Sequence, residues 1–398
     1  MLQGKTVVLA VSGSIAAYKC PNIARMLKKL GAHVEVLMTK NATNFINPIS
    51  FESLTGTKCL VETFDRNFEF SVEHVALAKC ADVVLLAPAS ANVIGKIAHG
   101  LADDMLTTTI IACPCKTIVA PAMNHNMFHN PIVQDNLRRL ESFGYEIVKP
   151  AHGMLANGDM GDGRMPEESL LVEYVLREIA CEKDLAGKKV LVTAGPTREA
   201  IDPVRFITNH STGKMGYAVA KAAMLRGAQV TLVSGLVSIA PPPFVDVVPV
   251  VSAQDMYEAV MERAKDQDMM IMTAAVADYR PAEVASEKVK KKEGDMTIPL
   301  TRTKDILGTI GQIRRDDQVI CGFSMETENM LANSQAKLER KNADLIVANN
   351  VKDAGAGFGV DTNLVTIITR EGAEELPLMS KEQVAHAILD RMVEMTGK

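Results

Sequence analysis

Short apolar runs alternate with longer stretches of helical period along the first half of the chain. The runs fall at 6–11, 34–38, 82–87 and 117–120, and an Ala/Leu-periodic stretch reaching Leu30 separates the first two. Runs of four to six mainly aliphatic residues fit strands covered on both faces. Their alternation with helical segments predicts βαβ units around a parallel sheet. At 181–187 the pattern lapses into Cys-Glu-Lys-Asp-Leu-Ala-Gly, and a fresh strand at 188–193 reopens it. A helix at 213–226, a strand at 229–233, a helix at 253–265 and a buried-looking run at 269–277 follow. Strands at 319–323, 345–348 and 365–369 and a last helix at 381–394 complete the series. This grammar predicts an α/β protein of two doubly wound, Rossmann-like domains with mainly parallel sheets, spanning 1–183 and 184–398.

Composition narrows the class. A chain of 398 residues with 47% hydrophobic and 23% charged residues can build about two or three cored domains. A net charge of -5 and a pI near 6.0 give no general attraction to nucleic acid or anionic membrane. The apolar start is short and broken by Gly13, so it reads as a strand rather than a signal peptide. No stretch reaches the roughly 20 apolar residues of a membrane helix. Seven scattered cysteines indicate reduced thiols and a cytoplasmic setting, and Cys113-Pro-Cys115 lacks the second pair a zinc site would need. Pro241-Pro242-Pro243 marks a rigid loop, and 284–294, with Lys288, Lys290, Lys291 and Lys292, reads as an exposed flexible segment.

Candidate chemistry gathers where strands end. Ser12-Gly13-Ser14-Ile15 follows the first strand where a helix begins, offering hydroxyls and backbone N–H groups to a phosphate. It lacks the G-x-G-x-x-G fingerprint, which disfavours a nicotinamide-dependent dehydrogenase. Pro88-Ala89-Ser90-Ala91-Asn92 and Pro121-Ala122-Met123-Asn124 follow two further strands, each ending in an amide able to donate and accept hydrogen bonds. His74 precedes a predicted helix and carries an imidazole suited to proton transfer near neutral pH. With Gly158-Asp159-x-Gly161-x-Gly163-Arg164-Met165, these motifs resemble the flavin-dependent cysteine decarboxylases over residues 1–180.

The resemblance implies FMN at Gly13, Ser14, Ile15, Thr39, Pro88, Ser90, Ala91, Asn92 and Met123, with His74 as catalytic base and Asn124 on the substrate carboxylate. A cysteinyl carboxylate lacks an electron sink, and oxidising the thiol with a flavin provides one, so that CO2 can leave an enethiol. Protonating the enethiol carbon falls, in the phosphopantothenoylcysteine decarboxylases, to a cysteine of an Ala-Cys-Gly-Asp segment. Here the segment reads Ala156-Asn157-Gly158-Asp159. An asparagine amide is no acid near neutral pH. Either the reaction stalls at enethiol and reduced flavin, or another group supplies the proton.

In the second half, Thr193-Ala194-Gly195-Pro196-Thr197-Arg198 and Asn209-His210-Ser211-Thr212-Gly213-Lys214-Met215-Gly216 follow or open predicted elements. The Gly-Lys pair is no Walker A motif, because the first glycine and the hydroxyl residue after the lysine are missing. Ala274-Ala275-Val276-Ala277-Asp278-Tyr279 ends a run with a carboxylate suited to a ribose, and the Lys288 segment could close over a triphosphate. Together with Gly322-Phe323, Lys337/Lys341 and Ala348-Asn349-Asn350, these stretches resemble phosphopantothenate–cysteine ligase over about 188–395. Both halves together resemble the bacterial bifunctional family of coenzyme A biosynthesis.

That second resemblance implies CTP, Mg2+, 4′-phosphopantothenate and cysteine. Asn209 would hold an acyl-cytidylate, Asp278 the ribose and Lys288 phosphate charge. Arg205, Ala274, Ala275, Lys304, Asp305, Ile306, Phe323, Lys337 and Lys341 would complete the substrate contacts. It further implies a trimer-based homo-oligomer, a dodecamer, with FMN between subunits. A flavin-binding regulatory module is the alternative from another class.

Overall fold

The computed structural model describes residues 1–64, 73–154, 158–290, 296–325, 329–349, 357 and 359–396. Asn157, Lys291, Lys292 and Asn350 lie outside them. The described chain forms two compact units, Met1–Glu182 and Lys183–Lys398. Among the described residues, no helix is long and apolar enough to cross a membrane.

The first unit is built on strands β1 (Thr6–Val11), β2 (His33–Met38), β3 (Val83–Ala89), β4 (Lys116–Pro121) and β5 (Glu146–Ile147), all parallel, in the order β2-β1-β3-β4-β5. Val7 through Val11 and Val83 through Ala89 are buried, as strands covered by helices on both faces require. Fully burying each valine or leucine of these strands contributes roughly 1.5–3 kcal/mol. The helix Cys20–Lys29 starts with Pro21 in its first turn, ends on Lys28 and Lys29, and turns Ile23, Ala24 and Leu27 inward. A hairpin of β6 (Ala151–Met154) and β7 (Met160–Arg164) follows β5.

The second unit has an eight-stranded sheet. Its strands are β8 (Lys189–Ala194), β11 (Gln229–Ser234), β12 (Asp246–Pro249), β13 (Met269–Met272), β16 (Val319–Met325), β17 (Leu345–Asn349), β19 (Val365–Thr369) and β20 (Ala373–Glu375). Short pairs β9 (Glu199–Ala200) with β10 (Phe206–Ile207), β14 (Tyr279–Pro281) with β15 (Leu300–Arg302), and β18 (Thr362–Asn363) with β21 (Met379–Ser380) decorate it. The order β12-β11-β8-β13-β16-β17-β19-β20 is parallel through β17 and antiparallel beyond. Ser380 and Gln383 form a capping box at the start of the last helix, Lys381–Met395.

The expected α/β class, with two doubly wound and mainly parallel sheets, holds. Three local expectations do not. The run at 269–277 is a strand only to Met272, because Thr273 and the residues after it leave the sheet to line cavities. Pro88 and Ala89 belong to β3 instead of the loop after it, with the register shifting between Leu86 and Ala89. His74 lies inside the helix Glu73–Cys80, not before it.

Candidate functional site

Each of the two large sheets reverses its winding at one point, and in open α/β sheets the carboxyl ends of the strands beside such a point form the ligand crevice. In the first unit this point lies between β1 and β3. The turn after β1 and the end of β3 are tied together by Ser12: its hydroxyl donates to the Pro88 carbonyl at 2.7 Å and accepts the Ser90 N–H at 2.8 Å. Gly13 passes so close to Asn41 that an added Cβ would meet the Asn41 Cβ at 2.8 Å. Ser14 caps the 3-10 helix Ile15–Lys19, accepting from Ala16 N–H, and Ser90 caps the helix Ala91–Ala98, accepting from Val93 N–H. Each hydroxyl keeps its own O–H to donate, beside the positive end of its helix.

Thr39 joins from β2, its N–H donating to the Val11 carbonyl and its hydroxyl accepting the Ala42 N–H. On the other side, Ala122 N–H donates to the Ala89 carbonyl and Met123 N–H to the Gly163 carbonyl, which docks β7 against the end of β4. Asn124 is exposed and uses its side-chain oxygen to cap the helix His125–Phe128, accepting from Asn126 N–H at 2.9 Å. Gly13, Ser14, Ile15, Thr39, Pro88, Ser90, Ala91, Asn92 and Met123 therefore share one sheet edge. Half-buried His74 stands in the first turn of the helix Glu73–Cys80, which precedes β3.

The second unit changes winding between β8 and β13. A 720 Å³ cavity beside this point is lined by Ala274, Asp278, Lys304, Asp305, Ile306, Phe323, Lys337 and Lys341, all of them expected contacts. Thr303 binds this wall to β13's continuation, its hydroxyl donating to Ala277 O at 2.6 Å and its N–H to Asp278 O at 3.0 Å. Lys337 donates to the Phe323 carbonyl at 2.8 Å, Lys341 pairs with Asp305, and the Lys304 ammonium stands 4.5 Å over the Tyr257 ring. Asp305 caps the helix Ile306–Ile313, and its carboxyl is held below the ordinary range by Lys341 and the Gly308 N–H against the opposing effect of burial.

A second cavity, of 350 Å³, is lined by Asn209, Ser211, Gly213, Lys214, Ala275 and Asn349 among others, and shares Ala274, Val276 and Phe323 with the first. Asn209 donates to Ala275 O at 2.6 Å and accepts Ser211 N–H at 2.9 Å, fixing the loop that enters the helix Lys214–Leu225. Gly213, at φ +76°, is the N-cap and supplies no side-chain cap, so the first N–H groups face outward from the helix start. Arg205 and Lys288 line neither cavity. Arg205 grips buried Asp202 through Nε and Nη2 and also donates to the Val289 carbonyl, while Lys288 is exposed next to that anchor.

Sequence reading did not single out Arg302, Asn333 and Arg340 in the larger cavity, or Lys381 in the smaller. The first three carry no motif of their own. Lys381 reads as a helix-start residue, yet its ammonium turns inward to the carbonyls of Gly357 and Val360.

Two α/β units, one with a hydroxyl-rich switch point and one with paired cavities meeting at a common wall, define an α/β protein with candidate small-molecule sites at its strand ends. Residues 1–180 match the family described as "Flavoprotein", and residues 185–395 match "DNA/pantothenate metabolism flavoprotein C-terminal domain". The "Coenzyme A biosynthesis bifunctional protein CoaBC" of Bacillus subtilis (strain 168) is 46% identical over 400 residues, covering 100% of this chain and 98% of that protein. The protein of the same name from Escherichia coli (strain K12) is 42% identical over 395 residues, covering 98% and 97%. A crystal structure of the C-terminal domain of a protein of that name shares 46% identity, covers 54% of this chain and 98% of its own, and gives a TM-score of 0.47. The chain belongs to the family of bifunctional coenzyme A biosynthesis proteins. It is a bifunctional enzyme combining a decarboxylase with a ligase.

Proposed function

We propose that the second unit joins cysteine to 4′-phosphopantothenate with CTP through an acyl-cytidylate, and that the first unit decarboxylates the product to 4′-phosphopantetheine with FMN. The observation that carries this reading is the pair of cavities sharing Ala274, Val276 and Phe323. A two-substrate activation needs a nucleotide site and an acid site whose ligands meet, and the shared wall is where they would meet.

The larger cavity takes CTP. Asp278 accepts from the ribose, and Arg302, Lys304, Lys337, Arg340 and Lys341 supply positive charge along the walls. Mg2+ would accompany the triphosphate and neutralise part of its charge. The acid sits in the smaller cavity, its carboxylate near Asn209 and its phosphate near Ser211, Lys214 and the uncapped helix start. Lys288 closes from its anchored segment over the phosphates as charge develops there. Cysteine's amine then displaces CMP.

The N-terminal switch point fits a flavin phosphate on chemical grounds: two hydroxyl donors, two helix starts and, at Gly13, a turn that packs directly against Asn41. Bound FMN supplies the electron sink that cysteine decarboxylation requires. Asn124 orients the substrate carboxylate through its amide N–H donors, and His74 accepts the thiol proton. Exposed Ile15 and Tyr18 beside the crevice leave apolar surface for a neighbouring copy, which supports a homo-oligomer with the flavin near its interface.

Two measurements test the assignment on the full chain. Purified protein should be yellow or become so on adding FMN, and pyrophosphate release should require both CTP and the acid. Lys288→Gln should lower that release about 100-fold. Protein that binds neither FMN nor CTP overturns the proposal.

A further inference from the structure

Next to the strand-end site of the first unit, one group of side chains converges on a single carboxylate. Asp162, in β7, is met by His129 Nε2 on Oδ2 at 2.9 Å and by His152 Nδ1 on Oδ1 at 2.9 Å. Its backbone N–H donates to His125 Nδ1 at 3.1 Å. His125 and His129 lie four positions apart, with ring centroids 4.4 Å apart, and a donor atom from each lies within 4.8 Å of the other and of an Asp162 oxygen. The neighbour Gly161 makes this approach possible, since a Cβ there would come within 2.7 Å of His125 Nδ1. The pairings with His152 and His129 hold the Asp162 carboxyl below the ordinary carboxylate range, so it is ionised at neutral pH.

We propose that His125, His129 and Asp162 bind one borderline divalent metal ion of the zinc(II) or cobalt(II) class, with His152 holding the second Asp162 oxygen in place, stapling the β6–β7 hairpin to the helix that follows Asn124. Imidazole nitrogens with one carboxylate suit such an ion, whereas Mg2+ prefers oxygen ligands and keeps its waters, so the magnesium of the nucleotide does not compete. Coordination at roughly 2.0–2.2 Å replaces the 2.9 Å hydrogen bond between His129 and Asp162, a change within reach of side chains that are half-exposed or exposed. The same motions hold β6 and β7 against that helix. The site is independent of the flavin and nucleotide assignments.

Calorimetric titration of the metal-stripped, full-length protein with zinc chloride tests this, with cobalt(II) absorption reporting imidazole ligation. One saturable site per chain is expected, weakened at least about 10-fold in His129→Gln and again in His152→Gln. Zinc should also protect backbone amides over 151–164 from hydrogen exchange in the native protein and not in the variants. Far-ultraviolet circular dichroism and thermal unfolding matching the parent's verify that the first unit of both variants is folded. Absence of saturable binding, or affinity unchanged in both variants because cysteines hold the ion, overturns the proposal.

Discussion

Gly163 shows how much one missing methyl group can decide. Its φ is +123°, and a Cβ there would stand 2.2 Å from the Met123 carbonyl oxygen, which has no room to retreat because Met123 N–H is bonded to Gly163 itself. Gly163→Ala therefore combines backbone strain with overlap at the edge of the crevice, and should destabilise the first unit by about 3 kcal/mol. Thermal unfolding followed by flavin absorbance checks this, and a melting point equal to the parent's would refute it. A second residue, Asn157, bears on the end of the reaction. Complete turnover requires another acid to protonate the enethiol, so anaerobic reaction should give saturated 4′-phosphopantetheine while the flavin returns to its oxidised spectrum. Product lighter by two hydrogens, with the flavin left bleached and full turnover restored in Asn157→Cys, would instead place the stall at this residue.

At the scale of elements, the Lys288 segment is held by a buried carboxylate several strands away in sequence. Asp202 accepts from Val204 N–H, Arg205 N–H, the Arg205 guanidinium and Val289 N–H, and Arg205 returns a bond to Val289 O. Ala285 N–H donates to Ile201 O, completing the seam. Asp202→Asn should loosen it and lower the rate of pyrophosphate release about 10-fold, chiefly in kcat. In a Lys288→Gln background the same change should have little further effect, since the two act as one unit, and additive losses would show that Asp202 works elsewhere. The Arg205 pairing sets the Asp202 carboxyl well below the usual carboxylate range. A depressed carboxylate contributes stability above its unfolded pKa of about 3.9 and loses it only as pH falls through the lower folded value, so the seam survives mild acid.

The same scale explains what the sequence made legible. Strands such as β1 and β8 are short buried runs, and periodicity exposes them directly. The departure of Thr273 and its successors from β13 is invisible in a pattern of Thr-Ala-Ala-Val-Ala, because these residues are as apolar as a strand while their burial is only partial. Lining residues such as Lys304, Phe323 and Lys337 came from family resemblance. Arg302, Asn333 and Arg340 reach the same wall from β15 and the helix Met330–Lys341, a convergence that only tertiary packing creates.

For the whole molecule, the division at Glu182/Lys183 makes a statement about independent folding. The second unit begins before its first strand: Leu185 is buried, its N–H donates to the Arg226 carbonyl, and Lys183 Nζ donates to Leu225 O. Arg226, itself buried, clasps Asp184 on one side and Asp390 of the last helix on the other. The segment before β8 thus fastens the helix Lys214–Leu225 to the helix Lys381–Met395, the pair that backs the smaller cavity. Residues 183–398 expressed alone should fold and release pyrophosphate with CTP and the acid. A start at 188 removes both the buried leucine, worth roughly 2 kcal/mol, and the Asp184 partner of a buried guanidinium. The shorter segment should consequently melt several degrees lower and lose ligase turnover at moderate temperature, while the longer one retains it. Equal stability of the two segments, measured by thermal unfolding at one protein concentration, would show that this clasp contributes nothing and that the unit is held together by its sheet alone.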